Sequence, residues 1–380
     1  MPISPILAGM QTYPFVRLDE AKAAARARGV ELIDFGMGDP NEETDPAIRR
    51  ALAEAVAPRM TYPRAPGLPE LREAIARWLR LRFGVEVDAD REIVPTLGSK
   101  EAIFSFAQVV CGPGKDVVVI PEPSYPVYER GALVAHAEPY SVPLLEANGF
   151  LPDLEAIPDE VYARTACFWV NYPNNPTGAV APVSFYEELA ARAAEHDFLV
   201  CSDEAYSEIW FDETPVSALQ AADRSRVVVF NTLSKRSSMP GYRSGFVAGP
   251  EAVVATLKAF RPTVGTAPQE FVQRASVVAW GDEEHVRRTR AIYRRKRDLI
   301  EPALRERGIR IVASEASFFL WFAVPDGESS EEFATRLLEH GVVVAPGSYF
   351  GPAGEGYARL ALVPTEAECA RAAEILREAL

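Results

Sequence analysis

With 380 residues, 48% of them hydrophobic, the chain is long enough for two domains, and its net charge of −14 argues against nucleic acid or an anionic membrane as partner. Four cysteines (Cys111, Cys167, Cys201, Cys369) form no CxxC pair and the four histidines are dispersed, so neither a disulfide framework nor a metal site is expected. The start Met1-Pro-Ile-Ser has no basic stretch before an apolar core, and no apolar run reaches spanning length, which predicts a soluble cytoplasmic protein.

In chain order, Gly36-Met-Gly38-Asp-Pro lacks the third glycine of a dinucleotide loop and bends at Pro40. The apolar spacing predicts a helix over 68–83. At Thr96-Leu-Gly-Ser99-Lys100 a strand gives way to a helix over 100–111, whose free N–H groups, with Ser99 and the Lys100 backbone, suit a phosphate. A plain N-cap would use the same geometry. The strand 116–120 leads to Pro123-Ser-Tyr125-Pro, where Tyr125 suits either ring stacking or a core. The strand 167–170 ends in Asn171-Tyr-Pro-Asn-Asn175-Pro-Thr-Gly, an irregular turn that presents Asn175. A helix over 183–196 and a strand over 198–201 follow, ending at Asp203 and Tyr206. A carboxylate there either meets a cation or caps the next helix.

The apolar strand 227–230 runs into Asn231-Thr232-Leu-Ser234-Lys235-Arg-Ser-Ser-Met-Pro-Gly-Tyr-Arg243. The other lysines, Lys22, Lys115, Lys258 and Lys296, read as solvated charges, with Lys100 as the exception. Hydroxyls, an amine and a glycine-flanked arginine together fit a Schiff-base lysine beside a phosphate, with pyridoxal phosphate (PLP) as the cofactor. Lys235 would bond to it, while Thr232, Ser234 and Arg243 would hold the phosphate. Asp203 would then keep the pyridine nitrogen protonated, with Tyr206 and Asn175 on the phenolic oxygen.

Strands alternating with helices predict an α/β fold with a largely parallel sheet in a large domain, residues 44–268. A smaller α+β domain is expected from residues 1–43 and 269–380, containing a long helix over 282–307, strands over 309–312, 318–324 and 356–362, and helices over 331–340 and 365–380. Arg359, flanked by apolar residues in the last strand, needs an anion, either a substrate carboxylate or a structural partner.

Taken together these motifs resemble the fold-type I, class I PLP-dependent aminotransferases along essentially the whole chain. The resemblance implies a mostly parallel seven-stranded sheet, Lys235 as the lysine bonded to the cofactor and as the base, and Arg243 on the phosphate. It also implies that Asn175, Asp203, Tyr206 and Tyr125 surround the ring, and that Arg359 with Gly38 receives the substrate α-carboxylate. Tyr62, in Thr61-Tyr-Pro-Arg-Ala-Pro-Gly, matches a tyrosine that reaches the partner's phosphate, implying a homodimer with shared sites.

Closer similarity is to N-succinyldiaminopimelate aminotransferases, through Tyr13-Pro-Phe, the run 148–158, Asp203-Glu-Ala-Tyr-Ser-Glu-Ile, and 357–363. That similarity adds Tyr13 to the substrate-binding residues and glutamate as amino donor. Lys100 stands where this resemblance leads one to expect arginine; some aspartate aminotransferases of the class use a lysine there for the distal carboxylate. Open alternatives are another substrate (aspartate, LL-diaminopimelate, an aromatic or aliphatic amino acid) or a carbon–sulfur β-lyase. A PLP-domain transcription regulator would need more than residues 1–30 for its DNA-binding module.

Overall fold

The computed structural model describes residues 3–9 and 14–380. Its strands are β1 (Ile33–Asp34), β2 (Ile93–Thr96), β3 (Val117–Glu122), β4 (Glu138–Pro143), β5 (Thr165–Asn171), β6 (Leu199–Asp203), β7 (Val227–Thr232), β8 (Gly245–Ala248), β9 (Ile311–Ala313), β10 (Phe319–Ala323), β11 (Val342–Val343), β12 (Ala345–Pro346) and β13 (Tyr357–Ala361). Seven of them form one sheet in the order β2-β8-β7-β6-β5-β3-β4. Only β8 runs against the rest, pairing antiparallel with β2 and with β7. The expected mostly parallel seven-stranded sheet is therefore present. Strands β5, β7 and β8 are buried along their whole length, as a sheet covered on both faces requires.

One covering helix, Pro69–Phe83, shows how the sequence sets its own limits. Proline opens it, and Gly84 closes it in the left-handed region at φ 71°, where a Cβ would be strained. Its inward face buries Leu71, Ile75, Trp78, Leu79 and Phe83, each side chain worth about 1.5–3 kcal/mol of transfer free energy. On the opposite face of the sheet, Phe106, Val118, Trp169 and Phe230 form a second core.

The second unit is built on an antiparallel sheet, β12-β13-β10-β9. A parallel pair, β1 with β11, ties the N-terminal segment to it. Its core includes Phe35, Phe318, Leu320, Phe333 and Leu360. Past residue 269 the chain does not turn to the smaller core at once. The helix Glu270–Gly281 packs its Ala275, Ala279 and Trp280 into the large-sheet core, with the Trp280 and Trp78 rings 4.6 Å apart. Past that helix the first side chain in the smaller core is Tyr293, inside the helix Glu284–Glu306, and Ala205, Tyr206, Ile209 and Phe211 join the same core from the loop after β6. A composition change marked the new sheet, but a helix serving the old one precedes it. Among the described residues no helix is long and apolar enough to cross a membrane.

Candidate active site

Because β2 and β7 both oppose β8, strands β2 to β7 all end on one edge of the large sheet. Polar side chains gather there for the reason that makes such edges ligand sites: each strand stops and its loop is free to present a group. A cavity of about 660 Å³ opens at this edge. Ser99 follows β2, Tyr125 follows β3, Asn171 ends β5 and Asn175 follows it, Asp203 ends β6, and Thr232 ends β7 with Ser234 and Lys235 just beyond. Arg243 comes just before β8, and β13 of the smaller sheet contributes Arg359.

Lys235 lies in the four-residue helix Leu233–Arg236, capped by the Thr232 hydroxyl accepting from the Ser234 N–H. Its Nζ donates to the Gly38 carbonyl oxygen at 2.7 Å. Burial lowers its pKa to about 8, with the Arg359 and Arg243 charges acting in the same direction and Asp39 and Asp203 opposing. A larger neutral fraction near neutrality suits an amine that must act as nucleophile and base. Neighbouring residues fix this segment: the Arg236 guanidinium packs against both the Trp78 and Trp280 rings, and Ser237 Oγ meets His285 Nε2 at 2.8 Å.

Asp203 is buried, and desolvation raises its pKa to about 6 against the hydrogen bonds that favour its ionised form. Oδ2 accepts from the Tyr128 hydroxyl at 2.8 Å and Oδ1 from the Ala205 N–H at 3.2 Å. The Asn171 side chain donates to the Asp203 carbonyl at 2.7 Å and accepts from the Asn175 N–H at 2.8 Å, so one residue links both loops. Tyr206 stands edge-on to Phe318 and Phe319.

The helix Ser99–Val110 begins at Gly98 with no side-chain cap, leaving its first N–H groups facing the cavity edge beside Ser99. Gly98 has φ 72°, and a Cβ there would stand 2.5 Å from Arg243 Nη2. Glycine thus admits the guanidinium, which donates to the carbonyls of Leu97 and Pro240. Thr232 donates to the Ser244 carbonyl and sits 2.9 Å from the Ser234 hydroxyl, a geometry that supports Ser234. Lys100 lies at the exposed rim, its ammonium 5.7 Å from the centre of the Tyr125 ring, and partial burial together with Arg243 and Arg130 lowers its pKa.

Arg359 is buried between the rings of Phe319 and Phe350, at 4.3 and 4.6 Å from their centres. It donates to Asn175 Oδ1 and to the Gly36 carbonyl. Gly38 lies against the Phe319 ring, where a Cβ would approach within 3.0 Å. Tyr62 does not line this cavity; it is 98% exposed, in a segment without regular secondary structure. Tyr13 lies outside the described residues. Tyr128, whose ring touches that of Tyr125 and whose hydroxyl bonds to Asp203, belongs to the site without a motif to announce it.

The family model "Aminotransferase class I and II" matches residues 30–376. The chain belongs to this family. It is a PLP-dependent aminotransferase, with the fold-type I architecture. It is 41% identical over 373 residues to the LL-diaminopimelate aminotransferase of Dehalococcoides mccartyi strain BAV1, covering 96% of each chain. The enzyme of the same name from Aquifex aeolicus is 41% identical, with 93% of each covered. Among solved structures, a probable N-succinyldiaminopimelate aminotransferase from Thermus thermophilus aligns with a TM-score of 0.90 at 35% identity, covering 96% of this chain and 100% of that one. A single mutant of the Thermus thermophilus aspartate aminotransferase aligns at 0.93 and 31%, with full coverage of both. The family expected from the motifs is thus shown, whereas the N-succinyl subgroup is one neighbour among several.

The residues present fit PLP. An uncapped helix start, Ser99, Ser234 and Arg243 form an anion cradle at one end of the cavity, and a buried carboxylate stands on the adjoining β6 tip with an amine nearby on the loop after β7.

Proposed function

We propose that this chain exchanges an amino group between LL-diaminopimelate and the glutamate/2-oxoglutarate pair. The observation that carries the substrate is the 41% identity, over 96% of both chains, to a protein named for it. PLP, when bound, supplies an electron-withdrawing ring that takes up the charge left as the substrate Cα loses its proton.

In this reading Lys235 Nζ would hold the cofactor covalently and, when free, would carry the substrate's Cα proton. Its lowered pKa supports that duty. Asp203 holds the proton on the ring nitrogen, Tyr206 and Asn175 bond to the phenolic oxygen, and Tyr125 lies on the ring face. Ser99, Ser234 and Arg243 hold the phosphate, with Thr232 behind Ser234. Arg359 takes the α-carboxylate in a two-pronged grip beside Gly38, and Lys100 receives a distal carboxylate. The division into two domains belongs to the same proposal, as do the homodimer, with Tyr62 reaching the partner's site, and a cytoplasmic setting.

A second reading, the N-succinyl form of the same diamino acid, is favoured by the Thermus thermophilus neighbour at 35% identity. A panel of purified enzyme with LL-diaminopimelate, its N-succinyl derivative, aspartate and an aromatic amino acid, each against 2-oxoglutarate, tests both. Turnover confined to aspartate or aromatic substrates would refute both, and pyruvate released with ammonia and a thiol from cysteine S-conjugates would indicate a lyase.

A further inference from the structure

Tyr128 is the second residue of the helix Val127–Val134 and is 1% exposed. Its ring stacks on Trp169 of β5, with centroids 5.0 Å apart and planes at 15°. It also meets Tyr125 edge-on at 6.0 Å. Held by two rings, it has few ways to place its hydroxyl, which lies 2.8 Å from Asp203 Oδ2. Burial and the Asp203 charge raise the Tyr128 pKa well above 10, so the phenol keeps its proton and must be the donor. The Ala205 N–H occupies one position on the other carboxylate oxygen.

We propose that Tyr128 is a positioning residue for the cofactor's ring: its hydroxyl both orients the Asp203 carboxylate toward the cavity and keeps that carboxylate ionised. Burial alone drives Asp203 toward its neutral form, in which it would lose its charge-assisted hold on a protonated ring nitrogen. A donor at 2.8 Å opposes this. Because Tyr125 and Tyr128 are in edge contact, the same ring also sets the distance between the stacking face and the carboxylate.

The inference rests on Asp203 being the partner of the ring nitrogen, so the test separates the two. Cofactor-free wild type, Tyr128→Phe, Asp203→Asn and the double variant are titrated with PLP from pH 5 to 8, following quenching of intrinsic fluorescence, with melting temperatures taken alongside. Tyr128→Phe keeps the ring and its stacking and removes only the hydroxyl. It should weaken PLP binding by about ten- to a hundredfold, the range for a hydrogen bond to a charged group. The pH at which binding is lost on the acid side should move upward. In the Asp203→Asn background the same change should cost almost nothing. An equal loss in both backgrounds, or an affinity and pH profile like wild type's, overturns the role of Tyr128. Wild-type affinity in Asp203→Asn alone overturns the assignment of Asp203.

Discussion

The guanidinium of Arg359, on a strand of the smaller sheet, donates from Nη1 to Asn175 Oδ1 at 2.8 Å, so the two halves of the proposed substrate site are already joined across the cavity. Its Nη2 reaches the Gly36 carbonyl at 2.6 Å. Lysine has neither the planar fork nor the reach to keep these contacts and a carboxylate together. Arg359→Lys should lower kcat/KM for every amino-acid substrate by at least about tenfold, since a charge-assisted hydrogen bond is worth about 1.5–3 kcal/mol. Steady-state kinetics with short and long substrates check this, and a loss confined to long ones would move Arg359 to the distal end.

For Lys235 the expected outcome is chemical. Borohydride treatment of the PLP-loaded enzyme should fix the cofactor on the peptide containing Lys235, as read by mass spectrometry, and Lys235→Ala should lose turnover while still binding PLP through the phosphate cradle. Because burial lowers the pKa to about 8, the neutral amine grows in as pH rises through that value. The rate of cofactor attachment to the cofactor-free protein should therefore climb between about pH 7 and 9 and level off above, rather than climb toward pH 10.5.

The residues that end strands were legible in the sequence because a buried strand announces itself as an apolar run, and whatever polar group follows must sit on the sheet's edge. Asp203, Asn175, Thr232 and Lys235 were all found in that way. What the sequence hid lies between elements far apart in the chain. Tyr128 bonds to Asp203, 75 residues away, yet its local context reads as one more apolar helical position. Likewise Glu270–Gly281 packs against the helices Pro46–Ala55 and Pro69–Phe83 from the far end of the large unit, and nothing in its own periodicity says which core it serves. Strand β4, with exposed residues at several positions, gives too weak an alternation to be read in advance.

Asp203 carries a stability signature as well as a catalytic one. Its native pKa, about 6, lies above the ordinary carboxylate value of 3.8, so the native state holds its proton more tightly than the unfolded chain does. In the cofactor-free protein this group favours folding at low pH, and that advantage is lost as pH rises from about 4 through 6, by up to roughly 3 kcal/mol. Asparagine does not titrate. The melting temperature of cofactor-free Asp203→Asn, measured against wild type from pH 4 to 7, should shift in the variant's favour with increasing pH, while turnover falls by several orders of magnitude. A constant difference would mean that Asp203 is not shifted, and near-normal turnover would mean that it only caps the following turn through the Ala205 N–H.

Lys100 separates recognition of the substrate's far end from binding of the cofactor. Its ammonium stands at the rim over Tyr125, close enough to Arg243 and Arg130 for their charges, with partial burial, to lower its pKa. Three like charges at one end of a cavity favour an anion there, and the phosphate would occupy the part nearest Arg243 and Ser99. What distinguishes Lys100 is its exposed position and its flexible four-carbon stem, which can turn away from the phosphate toward a carboxylate entering the open mouth. Such a contact, partly solvated, is worth up to about 1.5–3 kcal/mol, so Lys100→Ala should reduce kcat/KM by about ten- to a hundredfold for substrates with a distal carboxylate. Alanine as amino donor should be nearly unaffected, and so should PLP affinity. Equal losses for alanine and for LL-diaminopimelate, together with weaker PLP binding, would place Lys100 among the phosphate ligands and leave the distal carboxylate to another residue.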